Sequence, residues 1–239
     1  MLRKEFLILL LTTLALSAAA PSAQKNSPQK SRDAIKRSEA ATEVVIKLPQ
    51  LLQSGIPKEL LAKSEAIGIF PCKKTDLLIE HAVFCRGMIS RRLPSGWSLP
   101  AFYTFGAGGF GRPDSAVRGA TAVVLIFMNE ESLSWLKEGF GLKGQRKAIA
   151  GQLGASDDGE RAELIKAPLI AYVYLKDALV GRALSGGSFK GFGVGPDNDL
   201  NRALYGMKGH EVLSSKEIPS SVPREISAFH EALQKYYSR

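Results

Sequence analysis

The chain predicts an α+β domain: a curved, largely antiparallel β-sheet, barrel-like or sandwich-like, with helices at its N- and C-terminal ends. Three observations carry this expectation. Apolar residues recur at helical spacing chiefly near the ends, over residues 32–53 and 221–237. The middle is a series of short runs rich in β-branched and aromatic residues, of which 120–128 (ATAVVLIFM) is the most continuous. Glycine and proline punctuate those runs, and the regular alternation of strand and long helix of a doubly wound fold is absent.

The N-terminus reads as an export signal. Arg3 and Lys4 give a positive start, residues 6–16 are apolar but for Thr12 and Thr13, and small residues follow at 17–20. The apolar run is too short to span a bilayer, although an uncleaved anchor is the competing reading. Pro21 disfavours a cut directly after Ala20, which places cleavage between residues 18 and 23. The expected organisation is a signal peptide over 1–23, a flexible leader over 24–31 and a single domain over 32–239, exported to the periplasm or secreted. No cysteine lies near the cut, which excludes a lipoprotein anchor.

The formal net charge is +9. In an exported chain such a balance suits anionic membrane surfaces or acidic polymers rather than nucleic acid; a solvated basic surface is the plainer alternative. The two cysteines, Cys72 and Cys85, are able to pair in an oxidising compartment, or else to remain buried thiols. Two cysteines and three scattered histidines (His81, His210, His230) do not build a zinc site, and no cofactor or metal is implied.

Residues 32–53 form the first predicted helix, with Ala34, Ile35, Ala41, Val44, Val45, Leu48, Leu51 and Leu52 near helical spacing. Ser31 or Ser38 suits its cap, and Pro49 is expected to bend or divide it. Two readings compete for this helix. It lays its apolar stripe on the core, or it lies in a membrane interface with Lys36, Arg37 and Lys47 toward lipid. Asp33, Glu39 and Glu43 oppose the second reading. Pro57 opens a short helix over 58–64. Strands follow at 66–70, closed by Pro71, then at 77–84 and 86–92. Pro94, Ser95 and Gly96 make a turn. Residues 97–105 read as a strand with Pro100 at an edge or bulge.

The run 120–128 predicts a buried central strand. Asn129 caps the next helix, with Glu130 and Glu131 at its positive end and Lys137 at its negative end before Gly139. Strands are predicted at 164–174, 178–184 and 188–194. Asp199 starts a short helix that Gly206 ends. The last helix, 221–237, carries Val222, Ile226, Phe229 and Leu233 on one face.

No motif carries catalysis. Residues 106–111 (GAGGFG) have the glycine spacing of a dinucleotide loop, but Pro113 follows and no helix begins there to receive a pyrophosphate. A bulge or close strand approach explains the glycines better. Ser134 and Lys137 have the spacing of penicillin-recognising enzymes without their companion motifs. Asp197, Asn198, Asp199 and Asn201 resemble the start of a calcium loop, but Arg202 and Lys208 occupy positions that need glycine and glutamate, so helix capping is the expected role. Lys137, Lys143, Arg146 and Lys147 form a basic cluster. Phe189, Lys190 and Phe192 lie among glycines, where they either touch a membrane interface or pack in the core. A hydrolase assembled only in three dimensions is a third possibility, requiring His81 or His210 beside a carboxylate and a serine.

Four blocks in order, Ile69-Phe70-Pro71, residues 96–111, residues 123–129 and residues 197–206, resemble the SYLF domain family, also called a lipid-binding or yeast-type actin-binding domain. Residues 56–61 are similar to it as well, and the resemblance spans 31–233. It implies one α+β domain without established catalysis, and binding to phosphoinositide membranes partly through an N-terminal amphipathic helix, here matched by position to 32–52. Some members bind actin, which an exported chain does not meet. Four segments depart from the family pattern: 75–84 has no glycine, Cys85-Arg86-Gly87 replaces a Gly-Arg-Gly step, Ala122 stands where aspartate is common, and Arg112-Pro113-Asp114 interrupts a segment that is usually rich in glycine and glutamine. The expected function is non-enzymatic association with anionic lipid through Lys36, Arg37, Lys47, Lys143, Arg146, Lys147, Phe189, Lys190 and Phe192. The alternative is an envelope protein-interaction or scaffold module.

Overall fold

The computed structural model describes residues 28–51, 56, 58–72, 84–107, 120–141, 148–150, 165–175, 178–180, 192–216, 219 and 222–237. The helices are α1 (Pro28–Leu51), α2 (Lys58–Lys63), α3 (Glu130–Ser134), α4 (Asn198–Tyr205), α5 (Gly209–Val212) and α6 (Arg224–Tyr237). The strands are β1 (Ala66–Pro71), β2 (Phe84–Leu93), β3 (Gly96–Trp97), β4 (Ala101–Ala107), β5 (Ala122–Phe127), β6 (Phe140–Gly141), β7 (Ala148–Ala150), β8 (Leu169–Leu175), β9 (Ala178–Val180) and β10 (Phe192–Pro196). They form one sheet in the order β6-β10-β4-β2-β1-β5-β8-β7, with β3 joined to β2 and β9 to β8. Among the described strands only β7 and β8 pair in parallel.

The sheet curls, as expected. β6 and β5 are separated by four strands in the sheet order. On a flat sheet they would lie roughly 24 Å apart, at five strand spacings. Yet the ring centroids of Phe140 in β6 and Phe127 in β5 are 6.3 Å apart, edge to face. Phe70 and Phe105 meet at 5.8 Å on the same inner side. Fully buried aromatic rings therefore fill the half-barrel. The other face carries α1, where the Ser38 hydroxyl contacts Met88 Sδ of β2 at 3.4 Å.

The predicted central strand is central: every residue of β5 is buried, between β1 and β8. With both faces covered, β5 needs no polar alternation. The predicted strand 97–105 is divided instead. β3 turns back on β2, with Trp97 opposite Arg92, and β4 begins after Pro100. Proline has no N–H for a ladder, so the break falls where the chain lacks a donor. Residues 77–83, 181–184 and 188–191 lie outside the described residues.

α1 departs from expectation at both ends. It begins at Pro28, so residues 28–31 of the predicted leader are helical, with proline at the first position that tolerates it. It also runs undivided through Pro49 to Leu51. Pro49 has no N–H to give the carbonyl of Val45 one turn back. That carbonyl accepts instead from the Tyr237 hydroxyl of α6, at 3.2 Å. Burial, and secondarily Tyr236, push the Tyr237 phenol above the usual tyrosine range, so it stays a neutral donor. Tyr237→Phe should leave a buried carbonyl without a donor and lower stability by about 1–3 kcal/mol in urea unfolding; an unchanged midpoint would show that Pro49 needs no such rescue.

Cys72 and Cys85 form a disulfide, with sulfurs 2.03 Å apart, at the end of the β1–β2 ladder. A loop of this length contributes about 3 kcal/mol.

Candidate functional site

The candidate site is the outer side of α1 and the groove along its flank. Ala34, Ala41, Val45 and Leu48 share one helical face and are buried, against the C-terminal helix α6 and the sheet. Helical spacing gives the opposite face to Arg32, Lys36, Glu39, Glu43, Ile46 and Lys47, all exposed. Ile46 is one of the few large hydrophobic side chains in the open among the described residues, at 42% exposure.

Arg37 does not belong to that outer face. It is 8% exposed, and its Nη2 meets Asp33 Oδ2 at 2.5 Å while Nη1 meets Asp197 Oδ2 at 2.8 Å. Asp197 Oδ1 also accepts from the Leu200 N–H and caps α4. Arg37 thus fastens α1 to the start of α4, and its guanidinium is not offered to a headgroup. The signal was in the sequence: Arg37 falls on the stripe of Ala34, Ala41, Val44 and Leu48, with an acid four residues before it.

Of the other residues expected to face lipid, Lys36 is exposed, and Lys47 is exposed and bonded to Glu43 at 2.5 Å. Phe192 opens β10 opposite Ala107. Lys143, Arg146, Lys147, Phe189 and Lys190 lie outside the described residues.

Sequence reading missed the groove. Ala40, Glu43, Val44 and Lys47 of α1 form one wall, and Pro71, Thr121 and Tyr174 form the other, around 290 Å³. The opposite wall comes from the ends of β1 and β8 and the residue before β5, separated by about fifty residues each, so no local pattern announces it. Alanine, valine, proline and a half-exposed tyrosine make it mainly apolar, with the Glu43–Lys47 pair at its mouth.

The Asp197–Gly206 block acts through capping and docking. Asn201 accepts from the Phe102 N–H at 2.8 Å and donates to the Phe102 carbonyl at 2.9 Å, which ties α4 to β4. Asn198 Oδ1 accepts from the Gly209 N–H, and Gly206 closes α4 at φ 71°. No group of three or more His, Cys, Asp or Glu side chains is placed to hold a metal among the described residues. His230 Nδ1 faces the Ser98 carbonyl at 3.1 Å, while His81 lies outside the described residues. Tyr103 and Tyr205, pushed up by burial, spend their hydroxyls on the carbonyls of Leu136 and Pro100.

No helix among the described residues is long and apolar enough to cross a membrane. No curated protein matches the chain. One family model does: Ysc84, described as Las17-binding protein actin regulator, over residues 119–236. The match runs from the approach to β5 through nearly all of α6. It covers the two later blocks of the SYLF resemblance and leaves α1 and the two earlier blocks outside.

Proposed function

We propose that the chain is an exported SYLF-type module that associates with anionic membrane surfaces and performs no catalysis. The family match over residues 119–236 supports the SYLF-type module, and the membrane reading is carried by the outward face of α1. Arg32, Lys36 and Lys47 are exposed there beside Ile46. Basic side chains near an anionic surface contribute about 1 kcal/mol each, and an exposed aliphatic residue adds apolar contact at the interface. Glu39 and Glu43 on the same face limit the attraction, so binding is expected to be modest and salt-sensitive. Actin is no part of this reading, since an exported chain does not meet it.

The test is co-sedimentation of the mature chain with vesicles at low salt. Phosphatidylglycerol vesicles should pellet the protein and phosphatidylcholine vesicles should not. Deleting α1 is the wrong control, because Ala34, Ala41, Val45 and Leu48 belong to the core. Replacing exposed charges is the right one. The triple variant Arg32→Gln, Lys36→Gln, Lys47→Gln should weaken binding about a hundredfold while leaving circular dichroism unchanged. Equal pelleting by the two lipids would overturn the electrostatic reading.

A further inference from the structure

Phe84 is the most exposed large hydrophobic side chain among the described residues, at 46%. It opens β2, two residues before Arg86, which is also exposed. Side chains alternate along a strand, so Phe84, Arg86 and Met88 share one face of the sheet. That face carries α1, because Met88 Sδ meets the Ser38 hydroxyl. Met88 is fully buried, while the other two stand open. The next strands offer no side chain to cover Phe84: its cross-strand partner is Gly106, whose own partner beyond is Gly193. Between the Ile69–Met88 and Cys72–Cys85 pairs, Arg86 falls opposite Pro71, which lines the groove. Lys36 is exposed one turn before Ala40, on the flank of α1 where Ala40, Glu43 and Lys47 line the same groove. The rim of the sheet beside α1 thus collects Phe84, Arg86 and Lys36.

These two cations differ from the other basic residues of the flank. Lys47 is bonded to Glu43, and Arg37 to Asp33 and Asp197. Arg86 and Lys36 enter no ion pair among the described residues. Lys47 and Glu43 cancel, Arg37 with its two aspartates leaves one negative charge, and Arg86 and Lys36 add two positive ones, so the flank stays positive. From this arrangement we infer that the rim is where the molecule meets an anionic bilayer, with Phe84 entering the interfacial layer and Arg86 and Lys36 holding lipid phosphates. The inference rests on the proposed membrane association and fixes its orientation. A bilayer lying flat on the outward side of α1 would pass about 10 Å, one helix diameter, above β2 and miss Phe84. Contact with all three residues requires a tilt toward the rim. Chemistry selects the occupant. An acidic peptide or free phosphate would use the cations alone and leave the phenyl ring in water. A lipid surface uses both, because the ring enters its apolar layer while the guanidinium binds phosphate oxygens.

The experiment uses the mature, disulfide-bonded chain carrying Phe84→Trp and phosphatidylglycerol vesicles brominated along their acyl chains. The new tryptophan should shift to the blue and be quenched several-fold more than Trp97 and Trp135, which are buried. Arg86→Gln should weaken pelleting about fivefold. Arg202→Gln, the same change at an exposed site on α4, should leave pelleting unaltered. Circular dichroism checks that each variant is folded; if Arg86→Gln proves unfolded, the Phe84→Trp signal decides alone. Pelleting without quenching at position 84, or without loss in folded Arg86→Gln, would overturn the rim assignment and leave the α1 reading standing. Pelleting by no vesicle would overturn both, and Arg86-dependent capture of polyglutamate in that case would make an acidic chain the occupant.

Discussion

Arg92→Ala is expected to lower stability by about 3–5 kcal/mol, the range for removing a buried charged donor from several acceptors. Arg92 is only 9% exposed. Its Nε donates to the Ser64 carbonyl at 3.0 Å, and its Nη2 to the Leu61 carbonyl at 2.8 Å. Both Nη atoms reach the Tyr237 carbonyl at 3.1 Å. The guanidinium also lies 4.1 Å from the centroid of the Trp97 ring, its cross-strand partner. One side chain thus satisfies carbonyls at the C-terminal ends of both α2 and α6, which no helical N–H can reach. It also places positive charge where the helix dipoles are negative. Alanine leaves those acceptors buried and empty. Arg92→Lys should recover only part of the loss, because an ammonium does not reproduce the planar fork. Urea unfolding should show a lower midpoint with an unchanged slope; a shift below 1 kcal/mol would mean that water replaces the guanidinium without cost.

Gly87→Ala is expected to cost more than about 3 kcal/mol, beyond the ordinary price of overpacking. A Cβ at Gly87 would lie 1.9 Å from the Ile69 carbonyl oxygen and 2.6 Å from Phe70 Cα. Both obstacles are backbone, so no rotamer change relieves them, and β1 must move away from β2. The control is Gly195→Ala, whose Cβ would meet only Thr104 Oγ1 at 3.8 Å, an ordinary contact. Thermal melts should separate the two variants clearly. Similar melting temperatures for both would show that β1 shifts easily. In the Cys85-Arg86-Gly87 step the glycine is the residue that close strand approach demands.

What could be read from the chain follows from how local each cause is. β5 was legible because six buried residues in a row leave little doubt about a covered strand. α4 was legible because its cap and stop lie within ten residues: Asp197 binds the Leu200 N–H, and Gly206 turns left-handed. Pro49 does not divide α1, and its compensation is distant. The Tyr237 hydroxyl that takes over the Val45 carbonyl stands 192 residues away in sequence. Arg37 misled for a related reason: its charge suggested the surface, while its helical phase pointed inward to Asp197, 160 residues on. The half-barrel curvature was anticipated, but its closure by Phe140 over Phe127 arises from packing, which strand patterning does not specify.

The candidate site divides in the same way. The outward placement of Lys36 and Lys47 follows from periodicity within α1. The groove arises only where α1 lies beside three sequence-distant segments, at Pro71, Thr121 and Tyr174.

The most direct measurement is the partition of the purified, disulfide-bonded mature chain between buffer and vesicles as ionic strength is raised. The account predicts binding to phosphatidylglycerol vesicles that weakens about tenfold or more as the Debye length shrinks from about 30 Å to about 8 Å, with phosphatidylcholine vesicles taking up little protein throughout. Salt-independent binding that ignores lipid charge, or no binding to either vesicle, would contradict it.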